Sequence, residues 1–429
     1  MSDINRNQLM VADAEALRDI LVRDFHHFMD RQSFVKFPVF SKQLNLLHGQ
    51  EWRNMRSIIS PTFTSGKMKA MFPLMNKSLE NLMTVFERSV TREIDVLSTF
   101  GNFTMDVIAK VAFALETNTH EDPNHPFVVN AKKLFMFPIW KIFLLFFFPK
   151  WLLEKSGIHF LDQDGFSYFI ELAQHMIDKR RQTGVKVQRF TDFLKLMLQA
   201  EKEENDKSTD GLTDEEIIAN IILILTAGYH TTSATLTFAT YSLATNSHVQ
   251  ERVREEIYDA LAYSKSGELD YDTLNNLPYL DAVISETLRM YPPIAAHERQ
   301  CSEDYVLKVN TPQLGNREIK IPKGTGVFVP IWAVHYMEEY YPEPKKFKPE
   351  RFLPENKDQL VPYTFLAFVA GPRNCVGMRF ALLELKLALA SLISRYEIKQ
   401  TAKTKIEYGP HPMVLTPKEV VVQLVKIVS

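Results

Sequence analysis

FVAGPRNCVG, residues 368–377, followed by MRFALLELKLALASLISRY from residue 378, is the stretch on which the reading of this chain turns. Gly371 and Pro372 make a turn, Cys375 follows in an exposed loop, and a strong helix pattern opens at Val376. A thiol just ahead of a helix N-terminus meets the positive end of the macrodipole and several unpaired N–H groups. That placement is expected to lower the thiol pKa and favour the thiolate, the form that ligates a metal. Gly377 leaves room for a flat cofactor to approach the helix, and the Arg373 guanidinium beside the loop suits a carboxylate. The other reading of such a stretch is a structural cysteine buried in a turn.

Cys375 and Cys301 are the only cysteines in 429 residues, so no disulfide framework is encoded. The chain is 45% hydrophobic and 24% charged, which is globular composition. A formal net charge of −2 provides no global field for nucleic acid, and no nucleic-acid partner is expected. The opening stretch, MSDINRNQLMVADAEALRDILVRDF, is polar and contains no apolar run of signal or anchor length.

Helix-period patterns dominate. Residues 11–30, 78–89 and 164–181 read as amphipathic helices. Thr213 and Glu216 form a capping box, so a long helix is expected from about Asp214 to Ala244, apolar on nearly every face and therefore buried. AGYHTT, residues 227–232, sits in its middle, where a glycine and hydroxyls run against helix propensity and mark a functional segment. IKIPKGTGVFVPIW, from Ile319, reads as strand, Lys-Gly turn and strand, and VVVQLVKIV near the C-terminus is strand-like. The fold class is thus mainly α with a small β component (α+β), with no linker or repeat to divide residues 1–429 into more than one domain. LFMFPIWKIFLLFFFPKWLL, residues 134–153, is broken by Pro138, Lys141, Pro149 and Lys150. It reads either as a pair of core helices or as a surface dipping into a membrane interface, with Trp140 and Trp151 at its edges.

Phe368, Gly371, Arg373, Cys375 and Gly377 reproduce FxxGxRxCxG, and with them the chain resembles the cytochrome P-450 family. The glycine that commonly follows the phenylalanine is replaced by Val369. Glu286 and Arg289 in SETLRMYPP, then Arg351 in PERF, resemble the family's ExxR and PERF elements in the expected order. The resemblance implies that these three form a structural charge triad. Trp52 and Arg56 in EWRNMRSIISPTF match a WxxxR element whose members hold a haem propionate; Arg299 in HERQ and Arg31 in MDRQ resemble further propionate partners. AGYHTT resembles the oxygen-activation segment AGx(D/E)TT. Ala227 and Gly228 would leave space for dioxygen, and Thr231 would hydrogen-bond activated oxygen and help deliver protons. His230 stands where the family carries an acid, which changes the charge available for proton delivery.

What the resemblance implies is a haem-thiolate monooxygenase of the microsomal, drug- and steroid-oxidising branch, as SPTFTSGKMKAMF and GMRFAL suggest. Haem (iron-protoporphyrin IX) would be the cofactor, with Cys375 as axial ligand to the iron. O2, a hydrophobic small-molecule substrate (xenobiotic, steroid or lipid) and an NADPH-dependent diflavin reductase would be the partners. Ile294, Ala295, Ala296, Met413, Val414 and Leu415 are candidates for the substrate wall, and Lys67, Lys69, Lys345, Lys346 and Lys348 for a reductase surface. The expected location is the cytoplasmic face of the endoplasmic reticulum membrane, held peripherally through 134–153; a soluble cytoplasmic protein is the alternative. The family usually has an anchor, a first helix and a first strand ahead of Leu9, so the N-terminus reads as shortened and a sheet edge is expected to be open. Two rival functions are a haem-thiolate peroxide isomerase, which Thr231 argues against, and a truncated haem-binding protein with little or no activity.

Overall fold

The computed structural model describes residues 2–3, 6–31, 39–113, 115–134, 162–183, 192–203, 212–264, 267–311, 315–409 and 414–427. Of the 134–153 segment only Leu134 falls among them, closing helix Pro126–Leu134; Trp140, Trp151 and the rest lie outside the described residues, as does Met413.

The organising element is the helix Asp214–Thr245. It starts where its sequence says it should: the Thr213 side chain accepts from Glu216 N, and the Glu216 carboxylate accepts from Thr213 N at 2.9 Å. Helices Val96–Phe113, Met378–Ile393, Pro278–Met290 and Gln163–Thr183 pack around it, so a helix apolar on most faces finds apolar neighbours on most sides. Its buried hydroxyls are satisfied internally. Thr235, Thr237 and Thr240 donate to the carbonyls of Thr231, Ser233 and Leu236 at 2.7, 2.7 and 2.8 Å. Among the described residues this is the one helix long and apolar enough to cross a membrane, and it is the centre of the core.

The N-terminal pattern read over 11–30 resolves into three short turns: an α-helix Ala14–Arg18, a wider π turn Asp19–Arg23 and a 3-10 turn Phe25–His27. The 78–89 pattern is the second half of a longer helix, Ser65–Arg88, which contains Pro73. Residues 164–181 fall within helix Gln163–Thr183.

Strands β1 (Ser2–Asp3), β2 (Arg6–Met10), β4 (His297–Gln300) and β7 (Gly326–Val329) form one sheet in the order β1-β2-β7-β4. The edge of β2 that was expected to be open is covered in part, because Ser2 and Asp3 pair with Asn7 and Arg6. Strands β5 (Tyr305–Thr311) and β6 (Gly315–Ile321) pair with each other. The strand, turn and strand read over residues 319–332 are all present, as the end of β6, a turn and β7. Gly324 makes the turn at φ +85°, but β6 and β7 belong to different sheets, because β7 is taken by β2 and β4. Near the C-terminus, β3 (Glu93–Asp95), β9 (Val421–Lys426) and β8 (Tyr396–Gln400) form a third sheet in the order β3-β9-β8.

The helix Pro278–Met290 is capped by a neighbour. Glu256, from helix Ser247–Tyr263, accepts from Tyr279 N at 2.6 Å and Leu280 N at 2.9 Å, satisfying donors that no residue of the helix can reach. Its other end carries the predicted triad. Arg289 Nε and Nη2 donate to Glu286 at 2.7 and 2.9 Å, and Arg351 Nε lies 3.4 Å from the same carboxylate. Glu286 and Arg289 are fully buried, so this is a core ion pair rather than a surface one.

Glu384, on helix Met378–Ile393, is fully buried, and neither carboxyl oxygen has a partner among the described residues. Burial holds its carboxyl well above the usual range, so the folded protein keeps it neutral. An acid with a raised folded pKa loses stability as pH climbs above its unfolded value, about 4.3, because the unfolded chain ionises and the folded one does not. Glu384→Leu is expected to stabilise the protein by about 1–3 kcal/mol, by more at pH 8 than at pH 5. Urea unfolding at the two pH values checks this, and an equal gain at both would contradict the assignment.

Candidate haem-thiolate site

The chain segment carrying Cys375 is built from the turn outward. Gly371 has φ +78°, and a Cβ there would fall 1.8 Å from the Leu21 carbonyl oxygen, so no other residue fits. Val369 also sits in the left-handed region, at φ 60°. That explains why glycine commonly occupies this place and makes the β-branched valine a strained choice. Val369 N donates to Leu366 O at 2.8 Å, and Cys375 N donates to Phe368 O at 2.9 Å, closing the loop. The helix begins at Met378 with Gly377 as its cap, two residues later than the sequence pattern suggested.

Cys375 is accessible, but the surface it presents lines an internal cavity of about 220 Å³. Ala227, Gly228 and Thr231 of the central helix line the same cavity, with Ile108, Leu223, Ile224 and the rings of Phe63, Phe193 and Phe380. Phe193 packs against Phe63 and Phe380, with ring centroids 4.8 and 5.6 Å apart. Burial pushes the Cys375 thiol up from its ordinary value, while the Gly377 N–H and the Arg56 and Arg31 charges oppose the rise. This corrects the expectation of a depressed pKa. The helix starts too late to present more than one N–H, and desolvation outweighs it. A bound metal ion deprotonates such a thiol outright.

The arginines converge. Arg299 and Arg373 are buried with Arg31 half-buried beside them, and Arg31 Nε, Arg299 Nε and Nη2, and Arg373 Nε have no hydrogen-bond partner among the described residues. Burial and mutual repulsion push Arg373 down to about 9; burial, with some repulsion from Arg56, brings Arg31 to about 10. Three crowded guanidiniums with unused donors call for an anion that has several acceptor oxygens. The two propionates of haem have that chemistry, and the residues fit the group. Trp52 contributes through its ring, which the Arg373 guanidinium overlies at 4.9 Å. Arg56 instead donates to Asn374 O at 2.9 Å and Asn374 Oδ1 at 2.7 Å, which pins the residue next to the cysteine.

Other residues singled out in the sequence have different surroundings. His230 does not line the cavity; its ring packs on Tyr229 at 4.4 Å. Gly228 spends its missing side chain on helix packing, since a Cβ there would fall 2.6 Å from Ile108 Cδ1. Ile294, Ala295, Ala296, Val414 and Leu415 are not among the lining residues, although Leu415 N bonds Pro293 O at 2.8 Å and joins the two segments. Sequence reasoning also missed Asn220, whose Oδ1 accepts from Leu44 N at 2.9 Å and ties a cavity-wall loop to the central helix. A lone asparagine in IIANIILIL was the signal for it.

A cysteine opening on an apolar cavity that is also lined by Ala227, Gly228 and Thr231 of the central helix, with a cluster of arginines beside it, has the chemistry that a haem-thiolate oxidoreductase site would need. The family model described as Cytochrome P450 matches residues 3–424. Cytochrome P450 3A31 of Mesocricetus auratus is 36% identical over 415 residues, which is 95% of this chain and 79% of the relative. Cytochrome P450 3A29 of Sus scrofa is 35% identical over 93% of this chain and 78% of the relative. Cytochrome P450 6j1 of Blattella germanica is 34% identical over 96% and 79%. The chain belongs to the cytochrome P450 family: it is a haem-binding monooxygenase that uses O2, a small-molecule substrate and a reductase partner.

Val369→Gly is expected to stabilise the holoprotein by about 1 kcal/mol by removing the left-handed valine. Thermal unfolding and haem retention check it, and a lower Tm would show that the valine side chain's packing outweighs its backbone strain.

Proposed function

We propose that Cys375 Sγ would bind haem iron and that residues 1–429 act as one catalytic domain. In this reading the domain oxidises a hydrophobic small molecule, xenobiotic, steroid or lipid, with electrons from NADPH delivered by a diflavin reductase. The observation that carries the proposal is that Cys375 and Thr231, 144 positions apart in sequence, line one cavity. When bound, the haem supplies oxygen activation, and thiolate ligation favours O–O cleavage.

The protein's own residues set the conditions. Arg31, Arg299 and Arg373 would hold the propionates, whose negative charge would offset the arginines' mutual repulsion. Phe368, Gly371 and Gly377 shape the loop, and Arg56 fixes it through Asn374. Leu44, Ile59, Ile108, Leu223 and Ile224 exclude water and favour an apolar substrate. Thr231 Oγ1 donates to Ala227 O at 2.6 Å, so in this state it offers the cavity lone pairs and must swing to donate a proton there. His230 precedes Thr231 on the same helix, is in ring contact with Tyr229 and is not among the residues lining the cavity.

The reductase would meet the Cys375 side of the molecule. Of the five lysines considered for it, Lys69 pairs with Asp272 at 2.5 Å and Lys346 pairs with Glu343, which leaves Lys67, Lys345 and Lys348 as the stronger candidates. The 3A relatives support attachment to the cytoplasmic face of the endoplasmic reticulum membrane.

Cys375→Ser is expected to abolish the red-shifted Soret band of the reduced CO complex; a retained band would remove the ligand assignment. Thr231→Ala is expected to keep haem and to divert roughly tenfold more of the NADPH consumed into hydrogen peroxide, on the scale of a lost proton-delivery group. Unchanged coupling would remove the role given to Thr231. Turnover of a lipid endoperoxide without NADPH would instead favour the isomerase reading, and haem-replete protein inert with every substrate would favour a binding protein.

A further inference from the structure

His335 lies outside the cavity, is fully buried, and takes no part in the chemistry described above. It closes the short helix Ile331–His335, and its contacts are reciprocal with the buried triad. Arg289 Nη1 donates to the His335 carbonyl at 2.8 Å, while His335 Nδ1 meets the Arg289 carbonyl at 2.9 Å. The other ring nitrogen, Nε2, accepts from Leu366 N at 2.8 Å. Because Leu366 N can only donate, Nε2 must be the acceptor and Nδ1 must carry the proton. Burial holds this imidazole down to about 3, so it stays neutral at any working pH. Phe365 stacks on the ring, with centroids 5.6 Å apart and planes 15° apart, and fixes its orientation.

Leu366 is where the cysteine loop begins. Its carbonyl accepts from the N–H of the strained Val369, and the carbonyl of Phe368, the residue just before Val369, accepts from Cys375 N. A continuous set of bonds therefore runs from the Glu286–Arg289 pair, through both nitrogens of His335, to the loop that presents the sulfur. We propose that His335 is a positioning residue for Cys375, its Nε2 holding the Leu366 end of the loop against the strain at Val369. The inference rests on the reading of Cys375 as the haem ligand.

Two substitutions separate the two bonds. In His335→Gln the side-chain Oε1 can replace Nε2 as acceptor for Leu366 N. In His335→Asn the side-chain Nδ2 can replace Nδ1 as donor to Arg289 O, but nothing reaches Leu366. Each holoprotein loses one hydrogen bond, so their thermal unfolding should fall together. The reduced CO spectrum should not. His335→Gln is expected to keep the red-shifted Soret band, whereas the ratio of red-shifted to unshifted band in His335→Asn falls by about tenfold, the scale of one buried hydrogen bond. Equal spectra in the two variants, whether both preserved or both lost, would overturn the inference. If neither variant retains haem, the pair is repeated on Val369→Gly, where the strain that His335 opposes is gone: both double variants are then expected to keep the red-shifted band, and its loss in both would overturn the inference. Wild-type protein without a red-shifted band would overturn the Cys375 reading itself, with Cys375→Ser as the reference spectrum.

Discussion

The buried pair of Glu286 and Arg289 is the interaction on which the rest of the structure hangs. Neither side chain touches solvent, and their hydrogen bonds go beyond each other. Arg289 also donates to the carbonyls of His335 and Pro344, and Glu286 also accepts from Lys348 N at 2.9 Å. Two side chains on one helix thus gather a long irregular segment, 335–351, that has little regular structure to hold it. A buried ion pair adds little net stability over an apolar replacement, but removing one partner leaves the other charge stranded, at a cost of about 3–5 kcal/mol. Such a pair specifies which arrangement the chain adopts more than how tightly it folds.

The other constraint is charge without partners. Arg31, Arg299 and Arg373 come from three separate parts of the sequence and meet in the interior with donors unused. A protein core does not assemble such a cluster for its own sake, since each desolvated cation weakens the fold. The cluster makes sense as one half of a complex whose other half is anionic. The thiol of Cys375 behaves similarly: its environment raises its pKa, and only a metal ion makes the thiolate its natural state. The site is arranged around the charges of its cofactor.

Much of this was legible in the chain. The capping box at Thr213 placed the start of the central helix correctly, because capping is local and needs only residues three apart. The cysteine loop and the triad were legible as motifs, and the triad forms as read. The strands read near 319–332 form as read, while their partners were not legible, since a run of residues does not say which other strand will occupy its edge. Within AGYHTT, Thr231 bonds the Ala227 carbonyl one turn back and also lines the cavity, a position that sequence alone does not give.

By itself, then, the sequence determined the local elements, the identity of the candidate ligand and the fold class, because these depend on short-range periodicity and on residue types at fixed spacing. Only the tertiary structure decided that Gly228 lies against Ile108, that His230 packs on Tyr229, that Arg56 holds Asn374, and that His335 joins the triad to the cysteine loop. Each of these depends on which distant segment supplies the opposing atom. Such contacts, together with the desolvation they bring, are set by the packing of the whole chain and leave no periodic trace along it.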